Sequence, residues 1–207
     1  MDLTAEEVRV LGALVEKQRT TPDQYPLSLN ALRLACNQST NRDPVVEFDE
    51  PTIREALERL ARRRWVRLAS GAGSRATKYR HLLDEALGLD APGIAVLAVL
   101  MLRGPQTPGE LRARTERLHR FNGNDELREA IDRLAERQLV ASAGRRPGQK
   151  EERYAHLLTG DEQEAPPPPP PAGGHPTLEE RVARLEADVE RLKNAVQMGY
   201  SAVKHPV

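Results

Sequence analysis

The sequence predicts a mainly α-helical protein with small β-hairpins, in the α+β class, and three observations support that prediction. The stretch "IREALERLARRRWVRLAS" begins at Ile53, and "LREAIDRLAERQLVASAG" follows the same pattern from Leu127. Apolar residues recur at helical spacing through much of the chain, and short β-prone runs follow each copy of the stretch. Aromatic residues make up only 3% of the composition, so aliphatic side chains must fill the cores. The repeat therefore divides most of the chain into two similar units.

The first unit comprises residues 1–84. Its first helix begins with a recognisable capping pattern. Thr4 followed by Glu7 fits a capping box, in which each side chain accepts from the backbone N–H of the other residue. An apolar stripe then predicts an amphipathic helix with one face toward the core. The stripe consists of Val8, Leu11, Leu14 and Val15. The opposite face is expected to be solvated and carries Glu6, Glu7, Arg9, Glu16 and Lys17.

Two more helices are predicted in the first unit. The second carries a stripe of Leu29, Leu32 and Leu34, with Cys36 beside it as a small buried apolar residue. An irregular stretch, "NQSTNRDPVVEF", separates it from the third helix, where Pro51 suits the first turn. The core-facing positions of the third helix follow at i, i+3, i+4, i+7 and i+8. They are Ile53, Ala56, Leu57, Leu60 and Ala61.

Short β-prone runs close each unit. "WVRLAS" and "TKYRHLL" flank the Gly-containing "GAGSRA", and this arrangement predicts a two-stranded hairpin. Three helices followed by a hairpin is the winged-helix order, and residues 88–160 repeat it with "LVAS" and "RYAHLL" as the second hairpin. The opening helix of the second unit, "GIAVLAVLML", is apolar all round. A helix without a polar face is buried on every side, so we expect it to lie against the first unit or another subunit.

The chain after residue 160 predicts a spacer and a coiled-coil helix. Residues 161–176 include six consecutive prolines, which indicate a stiff linker, and two glycines, which predict a flexible hinge at its end. Residues 177–198 carry Val at a and Leu at d positions, a choice that favours a parallel two-stranded coiled coil. Residues 199–207 are expected to be a disordered tail. The apolar positions that predict a homodimer are Leu178, Val182, Leu185, Val189, Leu192 and Val196.

A single amphipathic helix that folds back on its own domain is the alternative interpretation of residues 177–198. Fewer than three heptads form a marginal zipper in isolation, so the folded domains are expected to contribute to dimerisation. A dimer of duplicated units would present four equivalent recognition surfaces.

Parts of the sequence resemble the YceH family of bacterial proteins. The segment "LTAEEVRVLGALVEKQRTTPDQYPLSLNALRLACNQSTNRDPV" and the later "RTERLHRF" carry the resemblance, and "YPLSLNAL" with "CNQSTNRDP" is its most specific part. The similarity covers about residues 3–158. It implies a tandem winged-helix fold and supplies no substrate, catalytic residue or cofactor, so function has to be argued from the residues themselves.

No pattern in the chain predicts an enzyme. We find no Walker loop, no nucleophile elbow and no pair of histidines at ligand spacing, and so expect no catalytic residue, metal or cofactor. A single Cys36 excludes an internal disulfide and a multi-cysteine zinc site. The start of the chain lacks the pattern of a secretory signal, and the longest apolar run, 93–102, is about half the length of a membrane span. We therefore expect a cytoplasmic protein with no membrane partner.

Basic residues cluster around the hairpin of the first unit. Lys plus Arg equals Asp plus Glu at 31 each, so a local patch must provide any attraction to nucleic acid. Between Arg62 and Arg80 there are seven basic residues and no acidic one, on elements that winged helices usually apply to phosphates. We therefore predict a dimeric, regulatory DNA-binding protein whose wings contact the phosphate backbone. The predicted contacts are Arg54, Arg59, Arg62, Arg63, Arg67, Arg75, Lys78, Arg80, Arg145, Arg146 and Lys150.

Two features oppose the DNA prediction. The early turns of both third helices carry carboxylates such as Asp49 and Glu126, which suit the helix dipole but repel phosphate. The run from Arg62 to Arg64 lies at a helix C-terminus, where cations are favourable without any ligand. The alternative function is a scaffold for protein–protein interaction that does not bind DNA. The loop 41–44, "NRDP", is open to two interpretations, as a binding site or as the caps and turn bonds of an irregular connection.

Overall fold

The computed structural model describes residues 1–69, 77–145, 148 and 151–159. Within them, seven α-helices and five short strands confirm the prediction of a mainly α-helical fold with small antiparallel hairpins. The first half, residues 1–87, contains α1 Ala5–Thr20, β1 Leu27–Ser28, α2 Leu29–Cys36, α3 Glu50–Arg62, β2 Val66–Leu68, β3 Lys78–His81 and the short α4 Leu83–Leu87. The second half, residues 88–159, contains α5 Ala91–Arg103, α6 Pro108–Thr115, α7 Asn124–Glu136, β4 Val140–Ser142 and β5 Tyr154–His156.

Helix α1 begins with the predicted capping box. The Thr4 hydroxyl accepts from the Glu7 N–H at 3.3 Å, and Glu7 Oε2 accepts from the Thr4 N–H at 2.7 Å. Every residue from 7 to 15 is buried, so the prediction of a solvated face is wrong at Glu7 and Arg9. Arg9 is buried because its guanidinium finds a partner in the core, where Nη1 donates to Cys36 O at 3.3 Å.

Helix α2 buries most of its predicted apolar stripe, with one exception. Ser28 caps the helix by accepting from the Ala31 N–H at 3.3 Å. Leu32 and Cys36 are buried as expected, whereas Leu34 is 57% exposed. Two residues span about 200° around a helix, so Leu34 lies nearly opposite Leu32. The predicted stripe is therefore wrong at Leu34.

Helix α3 follows its sequence pattern closely. Asp49 caps it by accepting from the Thr52 N–H at 2.9 Å, and Pro51 stands in the first turn. Ala61, predicted to face the core, is exposed at the edge of the buried stripe. The buried positions are Ile53, Ala56, Leu57 and Leu60.

The first hairpin belongs to a three-stranded sheet and not to the two-stranded ribbon that the sequence predicts. Strand β3 lies between β1 and β2, and both pairings are antiparallel. Strand β1 has only two residues, which is too short for an alternating pattern to reveal it. In the second half β4 pairs with β5. A single β-bridge between Gln106 and Tyr154 takes the position that the pairing of β1 with β3 has in the first half. Each half therefore has three helices followed by a strand pair, the order on which the winged-helix prediction rests.

The opening helices of the two halves pack against each other. Helix α5 is buried from 93 to 102, as its apolar sequence predicts, and it lies against α1. Gly12 permits the close approach, because a Cβ there would lie 2.9 Å from Leu102 Cγ and 3.2 Å from Met101 Cβ. A backbone hydrogen bond from Asp43 N to Leu102 O, at 2.9 Å, also joins the halves. One continuous core includes apolar residues of both.

Candidate nucleic-acid interface

Helix α3 presents two of the predicted contacts away from the core. Arg54 is exposed and makes no hydrogen bond or ion pair with any residue that the structure describes. Arg59 is half-buried and forms an ion pair with Glu55, one turn earlier. Such exposed pairs contribute about 0.3–0.5 kcal/mol, so Glu55 offsets the charge of Arg59 without fixing its position. Arg54 offers the more available charge of the two.

Three arginines stand where α3 ends. Arg62 is the last helical residue, Arg63 is the C-cap, and Arg64 takes a left-handed backbone conformation with φ 62°. Arg63 Nη2 donates to Asp2 O at 3.1 Å, whereas Arg62 and Arg64 are exposed and have no side-chain partner in the described part of the chain. The placement agrees with both interpretations of the run, since the cations suit the helix C-terminus and two remain available to an anion. Arg64 belongs to the predicted basic segment but not to the predicted contacts, and the structure leaves it as exposed as Arg62.

Strands β2 and β3 bring cations together on one face of the sheet. Arg67 and Arg80 are directly opposite in the antiparallel register, and Lys78 lies two residues before Arg80 on the same face. Glu85 accepts from Arg80 Nη2 at 3.1 Å, while Arg80 Nε is buried without a hydrogen-bond partner among the described residues. Like charges directly opposite each other destabilise a strand pair, so an anion bound at this face would stabilise the hairpin.

The equivalent face of the second hairpin is neutral. Ala141 and Ala155 are paired in the register that Arg67 and Arg80 have in the first hairpin. Arg145, a predicted contact, is exposed just beyond β4. The second hairpin therefore lacks the opposed cations of the first between its described strands.

Other arginines of the second half bond to the protein itself. Buried Arg153 donates to Glu110 Oε2 at 2.7 Å. Arg133 on α7 donates to Asp90 Oδ2 at 3.0 Å, and Arg137 donates to a backbone carbonyl at the end of α4. These cations hold α6, α7 and the link between the halves in place, and carboxylates offset the charges of Arg133 and Arg153.

Several predicted residues lie outside the part of the chain that the structure describes. Three of them are DNA contacts, namely Arg75, Arg146 and Lys150. The others are the coiled-coil positions Leu178, Val182, Leu185, Val189, Leu192 and Val196. Both sets stay predictions.

Carboxylates at the starts of α3 and α7 accept hydrogen bonds from nearby backbone N–H groups. Asp49 Oδ1 accepts from the hydroxyl of Thr52 at 2.6 Å and from its N–H at 2.9 Å, and these hydrogen bonds lower the pKa of Asp49. Glu126 accepts from the Asn122 N–H at 2.7 Å, which lowers the pKa of Glu126. Because both groups stay ionised, they repel phosphate at the helix ends that usually read bases. The cations at the C-terminal end of α3 and on the sheet are the stronger candidates.

The loop 41–44 joins parts of the fold. The side chain of Arg42 is fully buried and forms a bidentate ion pair with Glu16, at 2.6 and 3.1 Å. Asn41 has a left-handed backbone and accepts from the Arg103 guanidinium through its side-chain oxygen. Pro44 O accepts from Arg9 Nη2 at 2.6 Å. These bonds favour the structural interpretation of the loop over a binding site at its exposed face.

Two histidines are buried at equivalent strand ends. His81 and His156 each accept a backbone N–H from two residues later, at 3.3 Å, through Nδ1. Burial lowers the pKa of both imidazoles to about 4. Neutral rings that accept from the backbone hold the strand ends, which is a structural role.

The described residues show no metal or membrane feature. Within the ranges given above, no three His, Cys, Asp or Glu side chains lie close enough to hold a metal ion. No helix in the same ranges has the length and hydropathy to cross a membrane. Burial raises the pKa of the Cys36 thiol to about 12, so this cysteine stays protonated.

Comparison with known proteins finds relatives over most of the chain. A family model described as "Protein of unknown function, DUF480" matches residues 3–149. The "UPF0502 protein" of Shewanella piezotolerans is 44% identical over 210 residues, which cover 95% of this chain and 97% of that protein. The "UPF0502 protein YceH" of Salmonella newport is 44% identical over 200 residues, 93% of each chain. These similarities confirm the resemblance seen in the sequence.

Proposed function

We infer, for a chain that belongs to the DUF480 family of proteins of unknown function, that its first half binds duplex DNA through phosphate contacts. The proposed surface joins the C-terminal end of α3 to the face of β2 and β3 that carries Arg67 and Arg80. The role is binding and regulation, without catalysis. With DNA as its ligand, the protein would act in the cytoplasm.

The opposed pair of Arg67 and Arg80 is the observation that carries the proposal. The two residues face each other across an antiparallel pair, where Cβ atoms are about 5 Å apart. Glu85 offsets only part of this charge, because its side chain is 65% exposed and its ion pair is screened by water. A phosphate between the two guanidiniums would remove the repulsion and gain charge-assisted hydrogen bonds.

The end of α3 extends the same positive surface. Trp65 N donates to Leu60 O at 3.0 Å, so the chain turns directly from the helix into β2. Arg62 and Arg64, both exposed, stand within five residues of Arg67 along the chain. A strip of cations on adjacent elements suits the spaced phosphates of a duplex.

Binding of this kind is expected to tolerate many sequences. Phosphate contacts set position and affinity but do not read bases. The ionised caps of α3 and α7 disfavour base reading by the early turns of those helices. We therefore propose affinity that depends strongly on salt and weakly on sequence.

Dimerisation through residues 177–198 belongs to the same proposal. Two linked copies would place two first halves on one duplex and raise the effective concentration of the second contact. Sedimentation equilibrium is expected to give a dimer at micromolar concentration, and a monomer there would contradict this part of the proposal.

Fluorescence anisotropy of a labelled random duplex, titrated at several salt concentrations, tests the DNA proposal. The wild-type chain is compared with a variant in which both Arg67 and Arg80 are replaced by Ala. Each lost phosphate contact lowers the slope of log affinity against log salt by about 0.9, so the slope should fall by about two.

Arg120 and Arg128 supply the matched control. Both are exposed arginines of the second half, so their double replacement by Ala removes the same formal charge. The proposal expects this control to bind almost as the wild type does. Equal losses in both variants would show that charge alone matters, and no binding at low salt would overturn the proposal.

A protein-interaction scaffold is the second candidate, and exposed apolar side chains favour it. Leu34, Val45 and Leu68 are between 56% and 63% exposed, although single exposed leucines are common. Under this candidate, replacing Leu34 and Leu68 by Asp would abolish capture of a protein partner by the immobilised chain. Capture that survives both substitutions would count against the scaffold.

A further inference from the structure

A cleft of about 500 Å³ lies at the junction of the two halves. Its walls come from the C-terminal ends of α1, α5 and α6 and from the loop that follows α2. The volume is within the range of small-molecule sites, about 300–1,000 Å³. No residue of the proposed DNA surface lines it, so the cleft is a separate site.

The lining of this cleft is positively charged. Four cations face only two carboxylates, Glu16 and Glu116. Glu16 is already neutralised by the buried Arg42, which leaves the exposed Glu116 as the remaining carboxylate. The four cations are Lys17, Arg103, Arg114 and Arg117.

The partial negative charges of the helix C-termini offset only part of this positive charge. Each C-terminus contributes about half a negative charge within its last turn, so three of them offset about one and a half cations. The carbonyls at the end of α1 also have donors of their own, because the Thr20 hydroxyl donates to Glu16 O at 2.9 Å and the Thr21 hydroxyl donates to Lys17 O at 3.2 Å. A net positive cleft remains.

Two guanidiniums in the cleft have no carboxylate of their own to offset their charge fully. Arg103 is half-buried, and among the described residues its side chain has only the neutral Asn41 amide oxygen as a partner. Burial lowers the pKa of Arg103, and the charge of Arg114 lowers it further. Arg114 lies 3.7 Å from Glu110, a carboxylate that already accepts from Arg153 at 2.7 Å. An anion between Arg103 and Arg114 would relieve their repulsion.

The remaining cations of the lining are Arg117 and Lys17. Arg117 is exposed and has no ion pair or hydrogen bond with the described residues. Lys17 reaches Glu16 only at 3.8 Å. Thr40 and Gln38 add a hydroxyl and an amide to the lining, and both can donate to oxygen atoms.

We propose that this cleft binds a small molecule with two or more negative charges, carried by phosphate or carboxylate groups. Arg103 and Arg114 are its main contacts, and Lys17 and Arg117 add further positive charge to the lining. Because both halves line the cleft, a bound anion would stabilise their junction. An effect on DNA affinity rests on the proposed function, whereas occupation of the cleft does not.

Thermal unfolding and isothermal titration calorimetry of the full chain, without DNA, test the proposal. Pyrophosphate and citrate are the probes, and sodium chloride of equal ionic strength is the reference. The expected result is a rise in Tm of about 2–5 °C with at least one probe at saturation. The better probe identifies phosphate or carboxylate as the favoured group.

Three variants locate the bound probe. Replacing Arg103 and Arg114 together by Gln is expected to abolish the shift in Tm, and its own Tm without probe reports whether the fold is kept. Arg117→Gln, at an exposed position that cannot unfold the chain, is expected to weaken the calorimetric affinity about three- to tenfold. The double variant Arg67→Ala and Arg80→Ala, whose changes lie outside the cleft, should keep the full shift in Tm.

The same set of variants can overturn the proposal. No shift with either probe in the wild-type chain would refute the site. A shift that persists without Arg103 and Arg114, or disappears without Arg67 and Arg80, would place the anion elsewhere. Loss of DNA binding with intact probe binding would instead refute only the proposed function.

Discussion

The two halves of the molecule share one order of elements but use their arginines differently. In the first half, Arg54, Arg62 and Arg64 are exposed and without side-chain partners in the described part of the chain. In the second half, Arg133 and Arg153 bond to carboxylates of the protein itself. The paired strands differ most, because Arg67 lies opposite Arg80 in the first half, whereas two alanines take these positions in the second.

The opening helices of the two halves differ in how they are buried. Helix α1 buries Glu7 and Arg9 and ties Glu16 to Arg42, whereas α5 is buried entirely through apolar side chains. In the repeat register, Glu16 of the first half corresponds to Leu102 of the second. The first half therefore depends on a buried polar network where the second depends on packing, and substitutions at equivalent positions should have unequal effects.

The largest expected effect comes from breaking this polar network with Arg42→Met. Removing one partner of a buried ion pair leaves the other uncompensated, so the free energy of unfolding should fall by about 3–5 kcal/mol in urea titrations. Arg128→Met, at an exposed position, should change it by less than about 0.5 kcal/mol. Adding Glu16→Leu to Arg42→Met should restore part of the loss, and a double variant as unstable as the single one would contradict this account.

The buried histidines should make stability depend on pH in both halves. Their pKa of about 4 in the folded chain lies below the ordinary value of 6.5, so the unfolded chain binds more protons between these values. Stability should therefore fall as the pH drops from about 6.5 toward 4, by roughly 2 kcal/mol for each ring at pH 4.5.

Urea titrations of His81→Asn and His156→Asn across this window check the histidine prediction. Asp84 lies 3.6 Å from His81 and partly offsets its burial, whereas no charge opposes the burial of His156. Because the folded chain nevertheless holds the pKa of both rings at about 4, removing either should weaken the pH dependence by a similar amount. A slope unchanged in both variants would contradict a contribution from these rings.

Much of the fold follows from local sequence signals, and the exceptions have physical causes. The capping box at Thr4 and the α3 stripe were predictable because they depend on residues within a few turns. The burial of Arg9 was not, since its partners Cys36 and Pro44 are 27 and 35 residues away along the chain. Strand β1 escaped prediction because it is defined by its pairing with β3 and not by its own pattern.

The candidate site was predictable only in part. The cations around the first hairpin follow from composition, but the opposition of Arg67 and Arg80 requires the strand register. The neutral second hairpin was also hidden, because Arg153 counts as basic in sequence while its charge is held by Glu110. The cleft beside Arg103 depends on how the two halves meet, and no pattern in one segment encodes it.

Packing between the opening helices gives a smaller expected effect. Gly12→Ala would place a Cβ 2.9 Å from Leu102, and the resulting overpacking should outweigh the better helix propensity of Ala by about 1 kcal/mol. Gly109→Ala in α6 is the control, because its nearest new contact is at 3.7 Å. It should stabilise the chain by about 0.4–1 kcal/mol, and a gain of the same size at Gly12 would show that α1 and α5 are not tightly packed.

The smallest change in stability is expected from giving the second hairpin the charges of the first. Replacing both Ala141 and Ala155 by Arg should cost less than about 1 kcal/mol, the range for a single cross-strand pair, because the two like charges would lie directly opposite each other. The salt slope of DNA affinity should rise by up to about two in anisotropy titrations if the second hairpin can reach the duplex. Glutamine at the same positions is the neutral control, and a slope equal to that of the control would show that this hairpin lies off the duplex.

Hydrogen–deuterium exchange of the full chain, with and without a random duplex at low salt, tests the difference between the halves most directly. The account predicts slower exchange on DNA binding at the end of α3 and in β2 and β3, with little change in α7, β4 and β5. Equal protection of both hairpins, or protection confined to the second half, would contradict it.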